Sequence, residues 1–524
     1  MNIGERIKKI IGIEGSVKDT LLPMISYNAF SAGTAAGSQL NNYNAMFISR
    51  IEGVSPGYVG LRSLLGGLVD AFIDPFLGMM ADRTRSRWGR HRPYLMIGAI
   101  PWAILFFMGW YSFGLSGGDN PMRVVWYYIA VSMTMAAVSS FSNVPYVAML
   151  PELAPDYFQR TQFISVGYIM NGVTMPATHF MMLAMIGTTP FAEVPRDTWR
   201  FMGMVVALIA ILPMFATAIF TKTKSSKDME KPEMDLRFIV SEYRQVFRNR
   251  AFVQFFKMRY FLLFGMGFFG SGIARNFFVE TTADAPGYLI IIGTWIGISE
   301  MMAFLPNYFL TKKVGKQQMV WFTAPFLFLS FILVLFIRPG MLPLLFIQEM
   351  LSPFGSSGIS WAIQNIQPDV TDVDEMITGR RREGAMTAVD NLIRTSTAAV
   401  LGYIIGVTLE FFGVEGGVPG APGQSMFNAR AAHYVGPFFG SPNAGMRLVR
   451  GVLPIFFVGA AMLTLRRFTM TKADHKLIQE LIAEKHANGA VDPTDEQKAR
   501  LEEIAGQKWD DMWIGQAVEV AVKA

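Results

Sequence analysis

Runs of about 20 apolar residues recur along this chain, and that recurrence leaves few folds open. A helix of about 20 residues crosses the ~30 Å hydrocarbon layer of a bilayer, and only helices or closed barrels satisfy their backbone there. Twelve such runs lie near 22–49, 57–81, 93–116, 123–150, 159–187, 198–221, 252–279, 286–311, 318–338, 341–366, 384–413 and 446–466. Polar residues interrupt the fourth, tenth and eleventh. A chain of 524 residues that is 52% hydrophobic and only 16% charged is too apolar for a soluble domain. The sequence therefore predicts an all-α membrane protein with the lipid bilayer as its surroundings. With no Cys, disulfide and thiolate chemistry are excluded.

Loop charges set the orientation. Arg83, Arg85, Arg87, Arg90 and Arg92 follow the second run, Lys312, Lys313 and Lys316 the eighth, and Arg380, Arg381 and Arg382 the tenth. The intervening loops, such as Gly117–Asn120 and Thr281–Asp284, are poor in basic residues. The positive-inside rule places the basic loops and both termini in the cytoplasm, as expected of a bacterial-type inner membrane protein. The net charge of +6 thus reports topology, and no nucleic-acid partner is expected. The first 20 residues, with Arg6, Lys8 and Lys9, read as a cytoplasmic lead-in without a cleavable signal.

The longest internal polar stretch separates six runs from six. The expected organisation is a six-helix bundle over 1–221, a cytoplasmic middle loop over 222–251, a second bundle over 252–466 and a cytoplasmic tail over 467–524. Such duplicated bundles place a solute site between them near the midplane. Val414–Asn443, rich in Gly and Pro, reads as an extracytoplasmic loop, and Asp474–Glu484 and Asp495–Ala505 as short helices of a peripheral cap.

Within the second run, Asp70 and Asp74 are four residues apart, which stacks them on one helical face about 5–6 Å apart. A charge in the bilayer core costs at least ~2.5 kcal/mol and marks an ion or solute path. At ~6 Å and an effective dielectric of ~20 the pair adds about 2.8 kcal/mol of repulsion. A bare pair takes up a proton or binds a metal cation; the alternative is a pair clamped by buried arginines. Pro75 has no N–H, so the Ala71 carbonyl loses its helical partner and is available as a ligand.

The segment from Asp70 through Asp74-Pro75 to Asp82-Arg-Thr-Arg-Ser-Arg-Trp-Gly-Arg-His-Arg-Pro93 resembles the glycoside–pentoside–hexuronide:cation symporters of the major facilitator superfamily. Asp369–Gly384 is similar to that family's loop between helices ten and eleven, and Asn143-Val-Pro-Tyr146, Leu150-Pro-Glu-Leu153 and Asp156–Arg160 agree. The resemblance implies the major facilitator fold of two six-helix bundles, a small-molecule solute and a coupling cation, H+ or Na+; no cofactor is expected, and the chain is expected to be a monomer. It implies that Asp70 and Asp74 are the cation-site carboxylates, the metal ligands if the ion is sodium. Asn143 stands where sodium-coupled sugar members carry a further Asp, which favours protons, and Asn391 where they carry a Thr. Thr395 takes the place of a Lys linking cation and sugar sites, with Arg394 one residue earlier. Thr34 and Tyr168 replace a sugar-binding Asp and Arg, so a less hydroxylated or amphipathic solute stands as the alternative to a glycoside. Tyr27, Asn28, Gln39 and Asn42 offer neutral hydrogen-bonding groups on helix one, as cargo contacts or as packing between helices. Arg87, Arg90 and Arg92 are read as a cytoplasmic gate latch closing on Glu152, Asp156 or Asp372, with a lipid-headgroup patch as the alternative.

Glu300 is an intramembrane candidate, Asp390 and Arg394 are spaced to pair with each other, and His179 has no visible partner. No nucleophile–base set, metal cluster or phosphate loop points to an enzyme.

Overall fold

The computed structural model describes residues 21–117, 122–154, 157–221, 246–314, 316–380, 382–418, 421–422, 442–468 and 470–516. The helices α1 to α6 span Leu22–Asn41, Pro56–Arg83, Arg92–Met108, Met122–Leu153, Tyr157–Ile186 and Arg196–Phe220. The helices α7 to α12 span Arg250–Gly270, Leu289–Lys313, Lys316–Phe336, Leu342–Thr378, Glu383–Phe411 and Leu453–Arg466, and the tail adds α13 (Lys472–Asn488) and α14 (Asp495–Ala505). A two-residue pairing of Gly417–Val418 with Ala421–Pro422 is the strand content of the described residues.

Nine helical stretches among the described residues are long and apolar enough to cross a membrane. They include α4 and α11, which polar residues interrupt in the sequence. Of the runs read as spans, α1 and α10 fall short, and α3 is the shorter apolar helix. Helix α3 ends at Met108 rather than near 116, because side chains satisfy the carbonyls beyond it. Asn44 Nδ2 donates to Gly109 O at 2.7 Å, and the Tyr127 hydroxyl donates to Tyr111 O at 2.7 Å. Helix α10 overruns its expected end near 366 and passes through Pro368 to Thr378, so most of Asp369–Gly384 is helix rather than loop. What stops it is Gly379, whose φ of 69° is the left-handed cap that favours glycine.

Both halves carry the same break. Helix α1 is interrupted after Asn41, resumes at Asn44 and ends in a π-helical turn over Phe47–Ile51. Helix α7 is interrupted after Gly270, resumes at Gly272 and ends in a π-helical turn over Phe278–Thr282. Packing repeats as well. The pairs α1–α5, α1–α6, α2–α4, α3–α4 and α3–α6 recur as α7–α11, α7–α12, α8–α10, α9–α10 and α9–α12.

Between the halves the principal seams are α2 on α11 and α5 on α8, which the same twofold relation exchanges. Small residues let the backbones meet. A Cβ at Gly60 would lie 2.8 Å from Gly402 O, and one at Gly406 2.9 Å from Gly60 Cα; Gly67 abuts Ala399. Gly287 meets Thr188, and Gly293 meets Tyr43 and His179. All these approaches lie toward the α1–α2 and α7–α8 connections, away from the basic loops.

The middle loop 222–245, most of 414–443, and the residues Asp156 and Arg381 lie outside the described residues.

Candidate functional site

Asp70 and Asp74 follow Gly67, which abuts Ala399 of α11, along α2. Asp74 is seven residues, about 10 Å, below Gly67 on the side of the basic loops. Neither is fully buried. Ser140 of α4 donates its hydroxyl to Asp70 Oδ1 and lies within reach of Asp74. Asp74 Oδ1 is buried and has no hydrogen-bond partner among the described residues. Leaving a buried acceptor unsatisfied costs about 1–3 kcal/mol, more for a charged one, so this oxygen is a place for a proton or a cation.

Two charges act on Asp74, the like charge of Asp70 and the opposite charge of Arg394 on α11. The i, i+4 pairing of Asp390 with Arg394 expected from the sequence does not form. Arg259 of α7 takes Asp390 instead, Nε to Oδ1 at 2.5 Å. That leaves Arg394, which is exposed, one turn along α11 with its charge felt at Asp74, Asp390 and Arg259. By formal charge, the three carboxylates Asp70, Asp74 and Asp390 outnumber the two guanidinium groups Arg259 and Arg394 by one. Asn143 and Asn391 are exposed and Thr395 is half-buried. Groups of three or more His, Cys, Asp or Glu that could hold a metal do not occur among the described residues.

Helix one is less available than its residue types suggest. Tyr27 is buried against Tyr146, ring centroids 4.5 Å apart, and donates to Tyr146 O at 3.3 Å. Asn28 Nδ2 donates to Met24 O and Phe163 O, each at 2.8 Å, which ties α1 to α5. Thr34 donates to Phe30 O and Ser31 O of its own helix. These three serve packing here and are not brought to Asp74, whereas Gln39 and Asn42 stay polar links near the α1 break. Tyr168 is 47% exposed. Glu300 is exposed on α8 within electrostatic range of Arg275, and His179 is a packed group, Nδ1 3.2 Å from Met175 O.

Arg87, Arg90 and Arg92 of the basic loop after α2 have contacts in the first half. Arg90 Nε reaches Glu152 Oε1 at 2.5 Å and its Nη1 lies 3.4 Å from Asp82 Oδ1. Arg92 donates to Ala218 O at 2.6 Å and Ile219 O at 2.8 Å, capping α6. Arg87 lies over the Trp88 ring at 5.5 Å. Asp372 is held by the tail, 2.9 Å from His475 Nε2 and 3.0 Å from Gln479 Nε2.

The opposite side is closed by groups that sequence reasoning missed. Arg50 donates from Nε and Nη2 to Glu280 Oε2 at 2.8 and 2.6 Å, and from Nη1 to Glu415 O at 3.0 Å. Glu410 of α11 accepts from the Ser55 hydroxyl at 2.7 Å and from Gly57 N at 2.8 Å, a carboxylate at the N-terminus of α2. The signal available was a charge inside an apolar run for Arg259 and Glu410 and a charge just past the end of one for Arg50 and Glu280; Ser140, three residues before Asn143, carried none.

A family model described as MFS/sugar transport protein matches residues 24–472. An uncharacterized symporter of Synechocystis sp. is 22% identical over 551 residues, covering 89% of this chain and 97% of that protein. The isoprimeverose transporter of Lactiplantibacillus pentosus is 24% identical over 462 residues, covering 86% and 88%. Among solved structures, a bacterial homolog to the human lysosomal transporter Spinster, inward-facing and unoccupied, aligns with a TM-score of 0.56 at 13% identity, covering 87% of this chain and all of that one. A D-xylose-proton symporter aligns at 0.53 and 14% identity, covering 86% and 96%. These structural likenesses establish the fold.

Proposed function

This chain belongs to the MFS/sugar transport protein family, the glycoside–pentoside–hexuronide:cation symporters of the major facilitator superfamily, and on that premise we propose a cation-coupled symporter that imports a glycoside or related small organic solute by alternating access. It is an integral membrane transporter and not an enzyme. The observation that carries the coupling is Asp74 Oδ1, buried and without a hydrogen-bond partner among the described residues, in a cluster where Asp70, Asp74 and Asp390 hold one formal charge more than Arg259 and Arg394.

One proton or one sodium ion on the Asp70/Asp74 pair neutralises that cluster. Closing the bundles around a neutral cluster avoids burying net charge, which is the larger expense in a low-dielectric setting. Empty, the cluster opposes closure; loaded with ion and solute, it permits it. Ser140, Asn143, Asn391 and the Ala71 carbonyl supply neutral oxygens to a sodium ion, and the absence of a third carboxylate at Asn143 favours protons.

The arrangement is read as inward-facing, with residues 1–221 and 252–466 rocking as two bundles joined by 222–251, and 467–524 as a cytoplasmic cap. The seam at Gly60, Gly67, Gly402 and Gly406 and the Arg50–Glu280 pair close the extracytoplasmic side. In the opposite state the basic loop arginines Arg87, Arg90 and Arg92 meet acidic groups such as Asp372 across the cytoplasmic side. The protein works in an inner membrane as a monomer, both termini in the cytoplasm.

Solute contacts are assigned to Arg394 and Tyr168, which stand exposed, and to Thr395, which is half-buried. Relatives described as an isoprimeverose transporter and a lactose permease support a glycoside. One observation favours an amphipathic or less hydroxylated solute: Tyr27, Asn28 and Thr34 give their hydrogen-bond donors to backbone carbonyls. The test is uptake of a labelled panel of glycosides, uronates and lysolipids into cells, with sodium replaced by choline and a protonophore control. Accumulation that collapses with the protonophore assigns protons; accumulation that requires sodium assigns sodium. Uptake indifferent to both rejects coupling.

A further inference from the structure

On the outer face of the second half, α9 and α12 leave a groove of about 330 Å³. Trp321, Pro325 and Phe328 form one wall, Met462 and Leu463 the other, and Arg466 stands at its mouth. Leu463 is 63% exposed and Trp321 41%, so the walls are bare of protein. The small side chain of Ala324 makes room at the floor.

The groove has a defined depth. Helix α9 starts at Lys316, so Trp321 lies about 7.5 Å and Phe328 about 18 Å along its axis. Helix α12 ends at Arg466 on the same side as the basic loops. The cationic mouth is thus at headgroup level, and the apolar walls descend into the acyl layer. Gln317 fixes the mouth, because its Nε2 donates to Phe468 O at 3.2 Å and Met470 O at 3.0 Å just beyond α12.

The Arg466 guanidinium is stacked over the Trp321 ring at 5.2 Å. That contact holds it upright over the groove. Neither Arg466 nor Arg467, at the C-terminal end of α12, meets a carboxylate among the described residues. A positive-inside arginine needs only to reach water. One stacked on an indole above an acyl-sized groove, without a counter-ion, is matched to a phosphate with a chain attached.

We propose that this groove binds one anionic phospholipid of the leaflet on the side of the basic loops, its phosphate on Arg466 and one acyl chain along Trp321, Phe328 and Met462. The site lies outside the α2–α11 and α5–α8 seams, so it is independent of the solute and of the coupling ion.

The test is native mass spectrometry of the full chain in neutral detergent, titrated with phosphatidylglycerol, phosphatidylcholine or glycerol 3-phosphate. Phosphatidylglycerol is expected to be retained about five- to tenfold over phosphatidylcholine, with Arg466→Gln removing the preference. Leu463→Trp, which fills the groove and leaves the charge, is expected to remove it too. Both side chains are surface groups, and gel filtration checks that each variant stays monodisperse. Equal retention of the two lipids, a preference that survives Arg466→Gln, or glycerol 3-phosphate competing as well as the lipid would overturn the proposal.

Discussion

Arg50 and Glu280 meet across the two halves, guanidinium to carboxylate at 2.6 Å, each in the π-helical turn that ends the first helix of its half. Both side chains are largely buried, 8% and 13% exposed. Removing one partner of a buried pair costs about 3–5 kcal/mol, because the other charge is stranded. Arg50→Gln is therefore expected to open the extracytoplasmic side. The natural chain has no Cys, so spin labels at cysteines introduced for Glu193 and Met341 report the gap by double electron–electron resonance. A longer distance population in Arg50→Gln, reversed toward the parent in Arg50→Gln/Glu280→Gln, is the expected outcome. An unchanged distribution contradicts the latch.

Gly60 is the tightest test of the glycine seam. A side chain there meets Gly402 O and the Tyr403 backbone, none of which is a flexible group. Gly60→Leu is expected to prevent extracytoplasmic closure and to lower uptake at least tenfold, a change of about 1.4 kcal/mol or more. The same label pair should show the open population; near-parent uptake would show that α2 and α11 separate more readily than their packing implies.

The pairing of Arg259 with Asp390 makes a charge-balance prediction. Arg259→Gln leaves the cluster one more unit negative, so one cation no longer neutralises it, and gradient-driven uptake should fall about 10- to 100-fold, equivalent to roughly 1.4–2.8 kcal/mol. Arg259→Gln/Asp390→Asn restores the count and is expected to recover most of it. Equal loss in the single and double variants would assign the pair a packing role alone.

The tail gives a pH prediction outside the bilayer. Burial raises the Asp474 carboxyl, but hydrogen bonds from Arg500 at 2.9 Å and from Thr471 outweigh it and hold the group below the usual carboxylate range. A depressed carboxyl contributes stability above its unfolded pKa, about 3.9, and loses it as pH falls through the lower folded value. Protection of α13 and α14 in hydrogen exchange should be constant above about pH 5 and fall below about pH 4. Asp474→Asn should abolish that acid step. The contact is partly exposed, so the step is small.

Much of this was legible in one dimension. The positions of the helices follow from apolar runs and loop charges, and the Asp70/Asp74 face from an i, i+4 spacing. Helix ends were less so, because Pro368 reads as a stop yet α10 passes through it, while Gly379 sets the true end. Partners across halves were not legible at all. Asp390 has a good local partner in Arg394, four residues away, and nothing local says that Arg259, more than a hundred residues earlier, wins. Likewise Tyr27 and Asn28 look like solute contacts by type, and only the neighbouring Tyr146 and Phe163 backbones reveal that their donors are engaged there.

The central claim is that an ion on the Asp70/Asp74 pair drives the solute, and Asp74→Asn tests it most directly. The variant keeps the shape of the side chain and removes one charge, so it should remain folded. With the accepted solute of the parent protein in proteoliposomes, the account predicts loss of gradient-driven accumulation in Asp74→Asn while solute still binds. Accumulation to the parent level under the same ion gradient would contradict it.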